Sequence, residues 1–392
     1  MKNTHDRKPV SRHPRTLSRR GFLKLAGAAA AGSVLAACAP KATPAPQAEA
    51  TSIPPTLTAV PFTSATAPVV SSKARVAIAR AATYDRTLIR SQVEAMLDGL
   101  GGLDDIVHTG SKVVIKTNLT GGNFFQAPDG FTPTETYATH PEVVRAIGEL
   151  VRDAGAGELY IIEAVYDDQS YPGWGYSEIA KDLNATLIDL NKPDPYSDFT
   201  QVPVGAEHYF IEEFICHRLL TECDTFISVA KLKCHYNAGI TLSMKNLVGM
   251  VPYRYYREND SDWWRSALHS GDSKSRLPRI ILDLNRARPI HLGLIDGVMT
   301  AEGGEAPRGS FHAIQPGVLV AGKNPVTTDA VSAAVMGFDP TVEPPASPFL
   351  RGDNYLNLAA GLGWGTNKLD EIEVVGEKIE DVKFPFNPAW EM

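Results

Sequence analysis

FISVAKLKCHYNAGITLSMKNLVGMVP, residues 226–252, decides how this chain is read. Phe226–Val229 is a short aromatic and β-branched run, the composition of a buried strand. Lys231 and Lys233 follow two apart, so at strand period both ammonium groups face one side. Further on, Gly239–Met250 carries Thr241, Ser243, Lys245 and Asn246. If it is helical, Thr241 and Lys245 share a face with Asn246 beside them. Cations set against apolar segments need negative partners. A bound phosphate or carboxylate is one source, helped by amides at a helix start and by glycine-rich turns. Structural ion pairs with Asp296, Glu302 or Asp329 are the other.

Working outward, β-branched runs alternate with amphipathic segments. Arg75–Ala81, Lys112–Lys116, Glu158–Glu163, Ala185–Asp189, Thr225–Val229, His291–Ile295 and Gly317–Ala321 read as strands. Leu88–Leu97, Pro141–Asp153, Ser177–Leu183, Ser273–Arg286 and Pro325–Met336 read as helices, with Pro141 and Pro325 suited to a first helical turn. The alternation predicts an α/β fold: a mainly parallel sheet flanked by helices, as one large domain or two joined lobes. Ligands of such sheets lie beyond the carboxyl ends of the strands. There the sequence places Lys116-Thr117-Asn118, Lys231–His235, and Asp296-Gly297 followed by Glu302.

The ends of the chain carry different information. Ser18-Arg19-Arg20-Gly21-Phe22-Leu23-Lys24 precedes a short apolar run and Leu35-Ala36-Ala37-Cys38. This reads as a twin-arginine export signal over residues 1–37, with Cys38 the acylated residue of a lipoprotein. The run is shorter than the roughly 20 residues needed to span a bilayer. Residues 38–72, rich in Ala, Pro, Thr and Ser, read as a flexible tether. The folded unit is then expected within 73–392, on the extracytoplasmic face of a bacterial membrane. Without the leader the chain holds 30 basic and 44 acidic residues, which argues against nucleic-acid binding. Of four cysteines, Cys216, Cys223 and Cys234 remain after Cys38. A Cys216–Cys223 disulfide, a metal site with His217 and His235, and simple burial all stay open.

The stretch 226–252 resembles the core motif of an uncharacterised bacterial and archaeal family, domain of unknown function 362. Lys116-Thr117-Asn118-Leu119, Thr139-His140-Pro141-Glu142, Asp296-Gly297 with Glu302-Gly303, and Asn324-Pro325-Val326-Thr327-Thr328-Asp329 resemble its other motifs in the same order, over about residues 110–340. The chain departs from that pattern at Cys234, at Gly304-Glu305-Ala306-Pro307 and at Asn324. It also lacks the Cys-x-x-Cys-x-x-Cys run of relatives bearing an iron–sulfur module. The resemblance marks Lys116, Asn118, His140, Lys231, Lys233, His235, Lys245, Asn246, His269, Asp296, Glu302 and Asp329.

Joined to the strand-end rule, these residues give a Lys/His/Asn-lined pocket for a small anion, in an enzyme. Lys116, Lys231, Lys233 and Lys245 would hold the anion, and Asn118 and Asn246 would orient it. His235 is the acid–base candidate, and Lys233 or Lys245 is a base or nucleophile if neighbouring cations depress its pKa. Asp296 and Glu302 would position a lysine or a metal ion; no particular cofactor is indicated. A non-catalytic ligand-binding lipoprotein and a redox accessory protein are the alternatives. The expected partners are the small anion, the export machinery and, through Cys38, the membrane. The aromatic and cationic stretch 252–272 reads either as a flap over the ligand or as a packed surface excursion.

Overall fold

Side-chain alternation along the strands sorts the interior into two cores. Val76, Ile78, Val114, Ile162, Phe226, Ala230, Ile295 and Val320 lie in one, while Ala77, Val113, Ile115, Ile161, Ile227, Val229, Leu294 and Leu319 lie in the other. A sheet buried on both faces needs helices on both, and strands without a polar face. The computed structural model describes residues 73–122, 125–128, 130–304 and 311–388. The twin-arginine leader, Cys38, the tether and the departure at 305–307 lie outside the described residues.

Eight strands form the sheet: β1 (Ala74–Arg80), β2 (Lys112–Lys116), β3 (Glu158–Glu163), β4 (Thr186–Asp189), β5 (Thr225–Lys231), β6 (Leu292–Gly297), β7 (Val318–Gly322) and β8 (Ile372–Gly376). Their order is β8-β1-β7-β6-β5-β2-β3-β4. All neighbours are parallel except β7, which runs antiparallel to both β1 and β6. Helices α1 (Arg86–Gly99), α2 (Pro141–Asp153) and α3 (Tyr176–Asp182) cover one face through Ile89, Val143, Ile147 and Ile179. Helices α4 (Ser273–Ala287), α5 (Pro325–Val335) and α6 (Tyr355–Gly361) cover the other through Leu277, Ile281, Val331 and Leu356. This is the mainly parallel α/β sheet that the sequence implies. None of the described helices is long and apolar enough to cross a membrane.

Three readings left open by the sequence are answered. Gly239–Met250 is not one helix: Gly239–Thr241 pairs antiparallel with Lys233–His235, and a 3-10 helix covers Lys245–Met250. Thr241 therefore stands opposite Lys233 rather than one helical turn from Lys245. Gly239 takes φ +78°, outside the right-handed helical region. The Asp329 carboxylate also takes the amides of Ser243 and Met244, which fixes the 3-10 turn's start from outside. Second, Cys216 and Cys223 are free, buried thiols rather than a disulfide; burial pushes Cys216 up to about 12. Third, among the described residues no three His, Cys, Asp or Glu side chains gather to hold a metal ion.

Candidate functional site

The carboxyl ends of β2 and β3 build the first cluster. Their register sets Lys116 opposite Ile162, so Glu163 follows at the strand's tip. The fully buried Lys116 Nζ donates to Glu163 at 2.9 Å, to the Thr117 carbonyl at 2.7 Å and to Asn246 Oδ1 at 3.4 Å. Desolvation holds this lysine below its ordinary pKa; Glu163 opposes the shift and the Arg265 charge adds to it. Glu163 in turn accepts from the amides of Leu119 and Ala164. Gly249 packs against this pair: a Cβ there would lie 2.4 Å from Glu163 Oε1 and 2.8 Å from Lys116 Nζ. Because both ends are pinned by several bonds, Gly249→Ala is expected to cost ~1–3 kcal/mol of overpacking strain. Denaturant unfolding would measure it, and unchanged stability would show that the pair yields freely.

Asn246 extends the network. Its Nδ2 donates to Ser228 Oγ at 3.0 Å and to the Lys116 carbonyl at 3.3 Å, while its Oδ1 accepts from Asn118 Nδ2 at 3.0 Å. Asn118 is 7% exposed, and its Oδ1 is shielded from solvent without a hydrogen-bond partner. Asn118, Glu163, Tyr166, Lys245, Asn246 and Arg265 wall a cavity of ≈ 40 Å³. Arg265 is only 3% exposed, yet among the described residues it bonds two carbonyls, Val251 and Ala164, and no carboxylate. Its guanidinium lies 5.8 Å from the Tyr166 ring. Among the described residues the walls thus carry Lys245, Arg265 and Glu163, with Lys116 behind Glu163, and the Arg265 guanidinium meets no carboxylate. A buried cation without an anion is costly, and a small anion is what relieves it.

A second cluster lies on the opposite face. Strand alternation puts Lys116 with Val114 in one core and Lys231 with Ile227 and Val229 in the other. The parallel register of β5 and β6 sets Lys231 beside Asp296. Lys231 Nζ donates to Asp296 at 2.9 Å, to the Thr134 carbonyl at 2.7 Å and to Tyr84 Oη at 2.9 Å. Tyr84 Oη donates to Asp296 Oδ1 at 2.8 Å, and the His140 amide donates to Oδ2 at 2.9 Å. The His140 ring stacks on Tyr84 at 3.6 Å between centroids. His140 Nδ1 also caps α2 by accepting from the Glu142 amide. Burial, reinforced by Lys231, pushes His140 down to about 3, so its ring is neutral. Every charge here is answered.

The remaining marked residues are dispersed. Lys233 Nζ donates to the Tyr137 carbonyl at 2.8 Å, on the same side as Lys231. His235 Nδ1 accepts from the amides of Asn237 and Ala238, which leaves its proton on Nε2. Its ring lies 6.1 Å from that of His269, which in turn meets Trp264 at 5.1 Å. Glu302 pairs with His312 at 2.6 Å and accepts from the Asn387 amide at 2.6 Å. Of the segment 252–272, Arg265 and Tyr256 are buried, whereas Tyr255, Trp263 and Trp264 are exposed.

Asp329 sits in α5 with no exposure, holding Ser243 through its amide and hydroxyl and Met244 through its amide. Burial pushes its carboxyl up to about 7 against those hydrogen bonds. The raised value means folding favours the protonated form. Its stabilisation is complete below the unfolded value of about 4 and is lost as pH rises through about 7. Relative to Asp329→Asn, the wild-type chain is expected to lose up to about 4 kcal/mol over that window. Parallel stability–pH curves for the two proteins would contradict this.

The structure therefore brings Lys116, Asn118, Lys245 and Asn246 together, and separately Lys231, His140 and Asp296; one cavity does not unite all twelve. Glu163, Tyr84 and Tyr166 are not among the residues marked from the sequence, and Arg265 is marked only as part of the cationic and aromatic stretch 252–272. Glu163 ends a strand just as Lys116 does, so the strand-end rule points to it; Arg265 lies in the segment read either as a flap or as a packed excursion.

Three kinds of similarity complete the description. Residues 113–334 match the family described as Domain of unknown function (DUF362). A thylakoid-associated protein of Synechocystis sp. is 25% identical over 316 residues, covering 80% of this chain and 89% of that one. Among solved structures, the lactate racemase apoprotein from Thermoanaerobacterium thermosaccharolyticum aligns with TM-score 0.35 and 11% identity over 62% of this chain and 54% of its own. A Thermotoga maritima protein aligns with TM-score 0.34 and 14% identity over 60% and 56%. The chain thus spans about half the length of either solved structure.

Proposed function

The chain belongs to the DUF362 family, and from that premise we propose that it binds and acts on a small carboxylate or phosphate at the cavity beyond β2 and β3. Arg265 carries this reading: a guanidinium 3% exposed, bonded among the described residues to two carbonyls and no carboxylate, in the wall of a cavity. Arg265 holds the anion in place of Lys116 and Lys231, each of which has a carboxylate of its own, and Lys245 lines the same cavity. Asn118 and Asn246 line the cavity and orient the ligand. His235, expected from the sequence to move a proton, carries its proton on Nε2 and does not line this cavity.

Thermal melting with acetate, glycolate and phosphate at matched ionic strength tests the binding. A ligand at a hundred times its Kd adds about 2.7 kcal/mol, a shift of several degrees. No shift with any small anion would sink the reading. His235→Asn separates enzyme from receptor: affinity kept with turnover lost means catalysis, and unaltered turnover removes His235 from the chemistry.

We further propose that residues 1–37 are a twin-arginine leader and 38–72 a tether lipidated at Cys38. The name of the thylakoid-associated relative supports membrane association. Cys38→Ala is expected to move the protein from the membrane to the soluble fraction on fractionation; retention on the membrane would contradict acylation there.

A further inference from the structure

Aromatic and cationic residues alternate over 252–272, yet the anion cavity draws only Arg265 from that stretch. Trp263 stands two residues before Arg265, and both meet the same ring. The Arg265 guanidinium lies 5.8 Å from the Tyr166 ring, and the Trp263 indole meets that ring at 5.4 Å, nearly perpendicular. Tyr166 is itself a wall of the anion cavity. One half-buried ring therefore joins the buried cation to an indole that is 43% exposed.

A third ring comes from the segment that supplies another wall. Asn118, Leu119 and Thr120 line the cavity, and the chain then turns at Gly121 with φ +89°. Phe125 folds back onto that glycine, so closely that a Cβ there would meet the ring at 2.4 Å. The Tyr137 hydroxyl donates to the Phe125 carbonyl at 2.8 Å and anchors the residue. The Phe125 ring lies 6.5 Å from the Trp263 indole. Phe125, Tyr166 and Trp263, far apart in sequence, thus form a continuous aromatic shelf bordering the cavity. The cavity, at ≈ 40 Å³, has room for an acid group and little more. The remainder of a larger ligand lies outside it, where the shelf is the apolar surface next to the guanidinium.

We propose that the acid held by Arg265 carries a planar ring one or two carbons from its carboxylate, seated on the shelf of Phe125, Tyr166 and Trp263. This rests on the binding of an anion at Arg265 and narrows the ligand class to aryl-substituted acids. Trp263 is then the residue that sets specificity, while Arg265 supplies the attraction common to all small acids. Aromatic pairs gain from offset and edge contacts beyond the area they bury, which favours a planar ring over a saturated one of the same size.

Calorimetric titration of the full chain with acetate, phenylacetate and cyclohexylacetate tests it. Phenylacetate should bind at least about tenfold more tightly than acetate, and about threefold more tightly than cyclohexylacetate. Trp263→Ala should bring phenylacetate to within about threefold of acetate and leave acetate as in wild type. Trp263→Phe keeps a ring and should retain most of the preference. Trp264→Ala removes a similarly exposed indole that meets His269 instead, and should change neither affinity. Phenylacetate no tighter than acetate, equal affinity for the saturated ring, or a Trp263→Ala chain that keeps the preference would overturn the proposal and leave the anion site standing. Absence of binding by all three acids would remove the anion site and this proposal with it.

Discussion

Lys231→Met is expected to destabilise the chain by ~3–5 kcal/mol, the cost of leaving one member of a buried ion pair without its partner. Lys231 and Asp296 are both fully buried and 2.9 Å apart. Removing the ammonium strands the Asp296 carboxylate, still bonded to Tyr84 and the His140 amide, in a medium that cannot solvate it. For a domain of this size, each kcal/mol moves the melting midpoint by about 2–4 °C or slightly less, so a drop near 10 °C should be seen. A midpoint within a degree of wild type would mean that the pair is not what closes this face of the sheet.

Arg265→Gln is expected to behave in the opposite way. Charge-assisted hydrogen bonds contribute about 1.5–3 kcal/mol each, so affinity for a small carboxylate should fall ~10–100-fold. Stability without ligand should change little, because the substitution also removes a buried charge that no carboxylate answers. Arg265→Lys keeps the charge but loses the planar fork and should fall between the two. Equal carboxylate affinity in wild type and Arg265→Gln would remove Arg265 from the site. The contrast between these residues is physical: both are buried cations, but Lys231 is matched within the protein and Arg265 is not.

The sheet was legible because burial on both faces leaves unbroken apolar runs at strand spacing. Lys112–Lys116, Glu158–Glu163 and Pro141–Asp153 match the sequence reading residue for residue. β8 was not read: Glu373 and Val375 leave it half-exposed at the sheet's edge, without a strong period. The sequence left open whether Gly239–Met250 is helical, and it is not one helix because Asp329, more than eighty residues later, supplies the contacts that set this backbone. No local pattern reports such a partner. The same limit applies to the lysines. Strand period placed Lys231 and Lys233 on one side correctly, as their bonds to Thr134 and Tyr137 demonstrate. It could not reveal that Lys116 points to the opposite face, or that Glu163 and Asp296 would neutralise two of the four.

The most direct test is the crystal structure of the chain soaked in a carboxylate that raises its melting midpoint. Ligand density should fill the cavity between Asn118, Lys245 and Arg265, with the carboxylate within hydrogen-bond distance of the guanidinium. Density for the stabilising carboxylate elsewhere on the protein, with that cavity holding only water, would contradict the assignment.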